Sequence, residues 1–212
     1  RLYWRALRPL ATDYRPFVHW VNLPGTEAWA NSTPTVPGSA PTSRWDTEHY
    51  MVDAHRLMIP ADAPPVVGYL VVGMFGPDEA RLRMAEGTDT VRLALFRVTG
   101  TWPGDLPPVN ADYRFGGAIR LQGVDARLDG DAVRVALRWR AEADIATDYT
   151  VFLHLKDASG AVIAYGDRPP LDGIYPTGYW QAGQEIPDAA AIPVPPGATG
   201  PFTLAIGLYD PA

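Results

Sequence analysis

The sequence predicts an all-β protein made of two tandem sandwich domains, and three observations carry that expectation. The first is a repeat. Trp4-Arg5-Ala6, Ala11-Thr12-Asp13-Tyr14, Phe17 and His19 return as Trp139-Arg140-Ala141, Ala146-Thr147-Asp148-Tyr149, Phe152 and His154, at a constant displacement of 135 positions. The second is alternation. Val133, Val135, Leu137 and Trp139 take turns with Arg134, Ala136, Arg138 and Arg140, the period of two that gives a strand one apolar and one wet face. The third is punctuation: 22 prolines and 20 glycines separate short apolar segments, and no segment sustains helical spacing for three turns.

The repeat holds through Pro41-Thr42 and Pro176-Thr177, Trp45 and Trp180, Asp53 and Asp188, and Pro60 and Pro195. It slips by one near the end, where Gly73, Phe75 and Pro77 answer Gly207, Tyr209 and Pro211. The expected domains are residues 1–98 and 115–212. Between them, 99–114 carries Pro103, Gly104, Pro107 and Pro108 without apolar alternation and reads as a stiff linker.

Taken in chain order, the second copy opens with a strand over 115–123 and continues, past the turn at Asp129-Gly130-Asp131, with a strand over 132–141. A strand over 149–156 puts Val151, Leu153 and Leu155 on one face and Phe152, His154 and Lys156 on the other. Asp157-Ala158-Ser159-Gly160 is a turn before a strand over 161–165. An irregular passage over 166–183 precedes strands over 186–194 and 202–209. The first copy follows the same order from Leu2 to Phe75 and adds strand-like segments at 81–84 and 91–98. These last have no counterpart after Ala212, and the strand at 115–123 has none before Arg1. The expectation is a stretch of a longer repetitive polypeptide whose complete unit has about seven strands, the size of an immunoglobulin-like sandwich. Each copy is then expected to present an open strand edge.

Bulk properties narrow the function. Net charge is −6, Lys156 is the only lysine, and no basic run exists to follow a phosphate backbone, which argues against nucleic acid as partner. With no cysteine there are no disulfides and no thiol chemistry. The longest apolar stretch, 66–75, is broken by Gly68 and Gly73 and falls short of the ~20 residues of a membrane-spanning helix.

The motifs Leu137 to Ala141, Asp148 to Asp157, Tyr175 to Trp180 and Gly207 to Pro211 together resemble the extracytoplasmic β-sandwich repeats of large bacterial membrane proteins, often with glycosyltransferase-like transmembrane regions. The resemblance covers nearly all of the second copy. The first copy departs from it at Tyr14-Arg15-Pro16-Phe17, at Ala40 where the second has Tyr175, and at Gly76 where it has Asp210. It implies an extracellular or cell-surface location, anchored by a transmembrane region outside this chain, and a sugar context. It assigns no catalytic residues and no cofactor.

Candidate ligand-binding residues are Trp45, Tyr175, Tyr179 and Trp180, which crowd an irregular loop, and His19 and His154, which share a strand face with Phe17 and Phe152. An indole face stacks on sugar C–H groups, but a loop anchored on its own aromatic has the same composition. Trp4 and Trp139 fall in phase with the core set and read as packed sandwich tryptophans. A lone histidine is ordinarily a structural hydrogen-bonder rather than a metal ligand. His49, Asp53 and His55 span a turn and are not brought to one face by their spacing. Asp129 and Asp131 lack the further ligands of a calcium loop, and Asp13 and Asp148 read as turn closers. Asn31-Ser32-Thr33 fits a glycosylation sequon only as text. No nucleophile, paired-carboxylate or metal motif with characteristic spacing is present. The expected function is a non-catalytic structural or interaction module, whose partners are neighbouring repeats or identical subunits; the alternative is a carbohydrate-binding module for glycans.

Overall fold

The computed structural model describes residues 1–34, 37, 38, 40–102 and 104–211. Pro103 of the expected linker and Ala212 at the end of the expected second domain lie outside the described residues. The chain divides into two compact units, Arg1–Thr99 and Gly100–Ala212. Every named sheet is antiparallel. Among the described residues there is no α-helix, only the 3-10 turns Thr42–Arg44, Pro170–Gly173 and Thr177–Tyr179, so no helix is long and apolar enough to cross a membrane.

The first unit contains β1 (Leu2–Trp4), β2 (Arg15–Asn22), β3 (Ala28–Ser32), β4 (Met51–Asp53), β5 (Val66–Phe75) and β6 (Thr90–Val98). They form a two-stranded sheet β1-β4 and a four-stranded sheet β3-β2-β5-β6. The second unit contains β7 (Tyr113–Phe115), β8 (Ile119–Asp129), β9 (Ala132–Ala141), β10 (Thr150–Lys156), β11 (Val162–Tyr165), β12 (Glu185–Pro193) and β13 (Thr203–Tyr209). Their sheets run β12-β9-β8-β7 and β11-β10-β13.

The sequence repeat is reproduced in strand register. Leu2 and Trp4 face Asp53 and Met51, as Leu137 and Trp139 face Asp188 and Ile186. In the other sheets Phe17 faces Gly73 and Phe152 faces Gly207. The one-residue slip seen in the sequence therefore falls between β2·β5 and β10·β13 as whole strand pairs. Both glycines serve a close approach: a Cβ at either would stand 2.3 Å from the facing phenylalanine ring.

The alternation of β9 is realised in full. Val133, Val135, Leu137, Trp139 and Ala141 are buried, as are Val151, Leu153 and Leu155 of β10. Trp4 is half-buried where Trp139 is completely buried. The reason is positional: β8 runs along β9 with Leu121 opposite Trp139, whereas β1 is paired with β4 alone among the described residues.

Three expectations change in detail. The strand expected over 115–123 is a tight hairpin, with β7 and β8 joined through a turn at Gly116 and Gly117, and β8 runs on to Asp129. Residues 125–129 are exposed on both faces, so no apolar alternation announces them; pairing with β9 holds them extended. Residues 81–84 form no strand, and Arg81 makes one isolated bridge to Phe75. The stretch 99–114 is partly built onto the second unit. The amides of Asn110 and Ala111 donate to the Gln122 carbonyl, and the Asn110 side chain donates to the Val124 carbonyl and accepts from its amide. Gly123 lies so close that a Cβ there would sit 2.4 Å from the Pro108 carbonyl oxygen.

Candidate functional site

Residues that the two copies share build a clamp. In the second unit the Thr177 hydroxyl accepts from the Tyr149 amide and donates to the Thr147 carbonyl, each at 2.7 Å. In the first, Thr42 accepts from the Tyr14 amide at the same distance. Asp148 accepts from the Gly178 amide at 2.8 Å and Asp13 from the Ser43 amide at 2.9 Å. These aspartates tie strand entry to a 3-10 turn some thirty residues ahead rather than closing a local turn. The backbone hydrogen bond from Ser43 holds the Asp13 carboxyl below its ordinary range.

The clamp ends on tryptophan. The Trp45 indole N–H donates to the Ala40 carbonyl at 2.9 Å and that of Trp180 to the Tyr175 carbonyl at 3.0 Å. Trp45, Trp180 and Tyr175 are all buried, and the Tyr175 hydroxyl donates to the Tyr179 carbonyl. Tyr179 is half-buried. The loop is thus anchored on its own aromatics, and the rings of Trp45, Tyr175 and Trp180 offer no open face to a ligand. The composition of the loop could not distinguish the two arrangements because burial is set by neighbours distant in sequence.

Next to each clamp lies a fully buried carboxylate, Asp53 in the first unit and Asp188 in the second. Asp53 accepts from the Gly38 amide at 3.2 Å, from the Trp4 indole at 3.3 Å, and meets His55 Nε2 at 2.7 Å. With Nε2–H donating, His55 Nδ1 is left to accept from the Ser32 hydroxyl, 3.1 Å away. This Ser-His-Asp series exchanges the ring nitrogens relative to the nucleophilic triad of hydrolases. Its imidazole and carboxylate side chains are only 6% and 2% exposed. In the second unit Ala190 stands at the position of His55, and Arg168 supplies the cation instead, 2.5 Å from Asp188, with the Leu171 amide at 2.9 Å. The element common to both units is the buried acid; the side chain that meets it changes. The Trp139 indole N–H and Asp188 Oδ2 are both left unpaired, the counterparts of the pair that Trp4 and Asp53 close. Sequence reading paired Asp53 with Asp188 by spacing and did not expect His49, Asp53 and His55 to share a face; the structure corrects this for His55, whose ring meets the Asp53 carboxylate two residues away, while Ser32 and Arg168 were missed because no short motif contains them.

The two candidate histidines lie on sheet faces beside phenylalanine. His19 stacks 4.5 Å from Phe17, and Arg81 lies over the other side of that system, 4.9 Å from the Phe17 ring. His154 stands 4.9 Å from Phe152 and edge-on, at 77°, to Tyr165, with Asp167 3.2 Å from its Nε2. Tyr165 is 64% exposed. Of the six candidate residues, the structure therefore brings His154 to an open aromatic face, and His19 to a partly covered one.

Burial, and secondarily the Arg81 charge, pushes the His19 imidazole below its ordinary range. A depressed histidine binds its proton more readily in the unfolded chain. Its contribution is therefore present above about pH 6.5 and is lost as pH falls through that value toward the folded one. The melting temperature of the chain should drop over this range, and His19→Gln should flatten that part of the profile; an unchanged profile would contradict the assignment.

Two cavities reach residues of these clusters, one at Asp167 and Arg168 and one at His55. In the second unit a polar groove of about 620 Å³ is lined by charges of both signs, among them Asp125, Arg127, Arg134, Asp167 and Arg168, over a floor of Ala189, Ala190 and Ala191. Most of these charges are already used, Arg134 by Asp129 and Arg168 by Asp172 and Asp188. In the first unit an apolar cavity of about 380 Å³ is lined by Leu2, Val18, Trp20, Leu70, Phe96 and Val98. Among the described residues, no cluster of three or more histidine, aspartate or glutamate side chains could hold a metal. Comparison with protein-family models, with curated proteins and with solved structures gives no match.

Proposed function

We propose that this chain is a non-catalytic structural or interaction module, built as two tandem immunoglobulin-like sandwiches and working at the outer surface of a bacterial cell beside further repeats or identical subunits. One observation carries this reading: three pairs of residues that the copies share are committed to their interiors. Thr42 and Thr177, Trp45 and Trp180, and Asp53 and Asp188 are buried at equivalent positions and bonded to their own units. Repetition of this kind preserves a fold and leaves the surface free to vary. The resemblance to extracytoplasmic repeats of large membrane proteins supports the same location and the same scaffold role.

A second reading, carbohydrate recognition, is favoured by the face made of Phe152, His154, Tyr165 and Asp167. There an exposed ring, an imidazole and a carboxylate stand within contact of one another, the mixture of apolar platform and few polar groups that sugars require. Calorimetric titration against a panel of neutral and acidic oligosaccharides separates the two. The expected result is no saturable heat. Binding that disappears in Tyr165→Ala, at unchanged melting temperature, would replace the scaffold reading with the carbohydrate one.

A further inference from the structure

We propose that residues 102–109 form a releasable strap on the second unit, which lifts under tension from its Trp102 end and stops at Asn110. The chain between the units then gains length before either unit unfolds. The inference rests on the reading of the chain as a structural module and adds what that module does under load.

The strap belongs to the second unit, which begins at Gly100. It is held unequally along its length. Asn110 is the anchor: its amide and that of Ala111 donate to the Gln122 carbonyl at 2.9 and 3.0 Å, and its side chain closes two bonds with the Val124 backbone, at 2.8 and 2.9 Å. Just beyond it, Asp112 accepts from Arg120 Nε at 2.7 Å. Before Asn110 the grip is slight. The Pro107 carbonyl accepts from Arg138 at 3.3 Å, and the Trp102 ring stands edge-on to Tyr175, with centroids 5.6 Å apart. Among the described residues, the amides of Gly104, Asp105, Leu106 and Val109 donate to no protein acceptor, and Pro107 and Pro108 have no N–H to give. Val109 is 62% exposed.

Docking also strands polar atoms. Arg138 Nε and Gln122 Oε1, on residues that this segment touches, are buried without a hydrogen-bond partner among the described residues. That desolvation penalty is relieved when the segment lifts and water enters. Gly123 is the notch that lets the strap seat. A Cβ there would stand 2.4 Å from the Pro108 carbonyl oxygen and 3.3 Å from that of Pro107, backbone atoms that yield only if the strap moves. Tension entering from the first unit loads the contacts one at a time, Trp102 first and Pro107 next, and meets the grouped bonds of Asn110 last. Few contacts and unbonded amides place 102–109 at the low-stability end of the unit. Its eight residues extend to at most about 29 Å, at ~3.6 Å each.

The chain has no cysteine. Ala61→Cys and Ala158→Cys, both at exposed positions, therefore give one attachment point in each unit for stretching the full chain in optical tweezers. The expected record is a reversible, low-force extension of no more than about 29 Å, ahead of the large, hysteretic loss of either unit. Gly123→Ala should abolish that step by lifting the strap beforehand, with the amides of β10 still protected from exchange. If that variant loses the protection, Trp102→Ala decides: it should lower the force of the step at unchanged melting temperature. Asn110→Ala, which removes the side-chain bonds of the anchor, should lengthen the step toward the roughly 40 Å that residues 102–112 can span. The proposal is overturned by a first event that unfolds a whole unit, by a step that Gly123→Ala or Trp102→Ala leaves unchanged, or by a step no longer in Asn110→Ala than in the parent. None of these results touches the oligosaccharide titration, so the strap can fail while the scaffold reading stands.

Discussion

Replacing Trp139 with alanine is expected to destabilise the second unit by about 3–5 kcal/mol, the usual range for deleting a large, completely buried aromatic. The ring is 0% exposed and meets Phe115 edge-on, with centroids 5.9 Å apart. It lies between β8 and β12, opposite Leu121 on one side and Ile186 on the other. Both flanking strands are held by ladder hydrogen bonds to β9, so a cavity term is expected to add to the lost transfer term. Urea unfolding of the chain measures the effect. Trp4→Ala should cost distinctly less, because its ring is only half-buried and, among the described residues, its strand pairs with β4 alone. A loss below about 1 kcal/mol at Trp139, within reach of ordinary surface substitutions, would contradict the core assignment.

Asp188→Ala is expected to cost about 3 kcal/mol, the lower end for breaking a buried ion pair from one side. The lower end applies because the Arg168 side chain is 16% exposed and retains the Ala189 carbonyl as an acceptor. The change also frees the Leu171 amide, which Asp188 holds while Leu171 and Asp172 sit at positive φ, both at 52°. Left-handed backbone at non-glycine residues costs roughly 1–2 kcal/mol each, so this turn depends on the carboxylate that anchors it. Hydrogen exchange should show faster opening at 170–173 in the variant, and urea unfolding should show the loss of stability. Asp188→Asn, which keeps an acceptor for the amide but removes the charge, should recover part of it. Equal stability of Asp188→Ala and the parent would mean that the buried acid is not the anchor.

The repeat made much of the fold readable. The displacement of 135 positions carries loops as well as strands, and the β1·β4 and β9·β12 registers agree at the three pairs they share, although the sheet orders of the two units differ. The alternation of β9 named its buried face because one side of that strand meets core and the other meets solvent. Where both faces of a strand are wet, as over 125–129 of β8, there was no pattern to read. Alternation also does not guarantee cover: Val91, Leu93 and Leu95 alternate along β6, as a strand over 91–98 was expected to, yet are more than 40% exposed.

The candidate site was legible only as a set of residue types. Trp45, Tyr175 and Trp180 announced an aromatic loop, and their sequence is compatible with a platform or an anchor. The choice rests on Thr42 and Thr177 reaching back about thirty residues to the start of β2 and β10, which draws the loop inward and buries its rings. Likewise Asp53 and Asp188 could be paired by spacing, but the side chain that meets each was not: His55 follows Asp53 by two residues, whereas Arg168 reaches Asp188 from twenty residues away. What the sequence by itself determined is the strand content, the repeat and the inward face of its strongest strands, because these follow from local periodicity and from copying. What the tertiary structure alone decided is which aromatic is buried and which side chain meets each acid. Burial and side-chain pairing are set by the neighbours a segment packs against, and local periodicity does not name those neighbours.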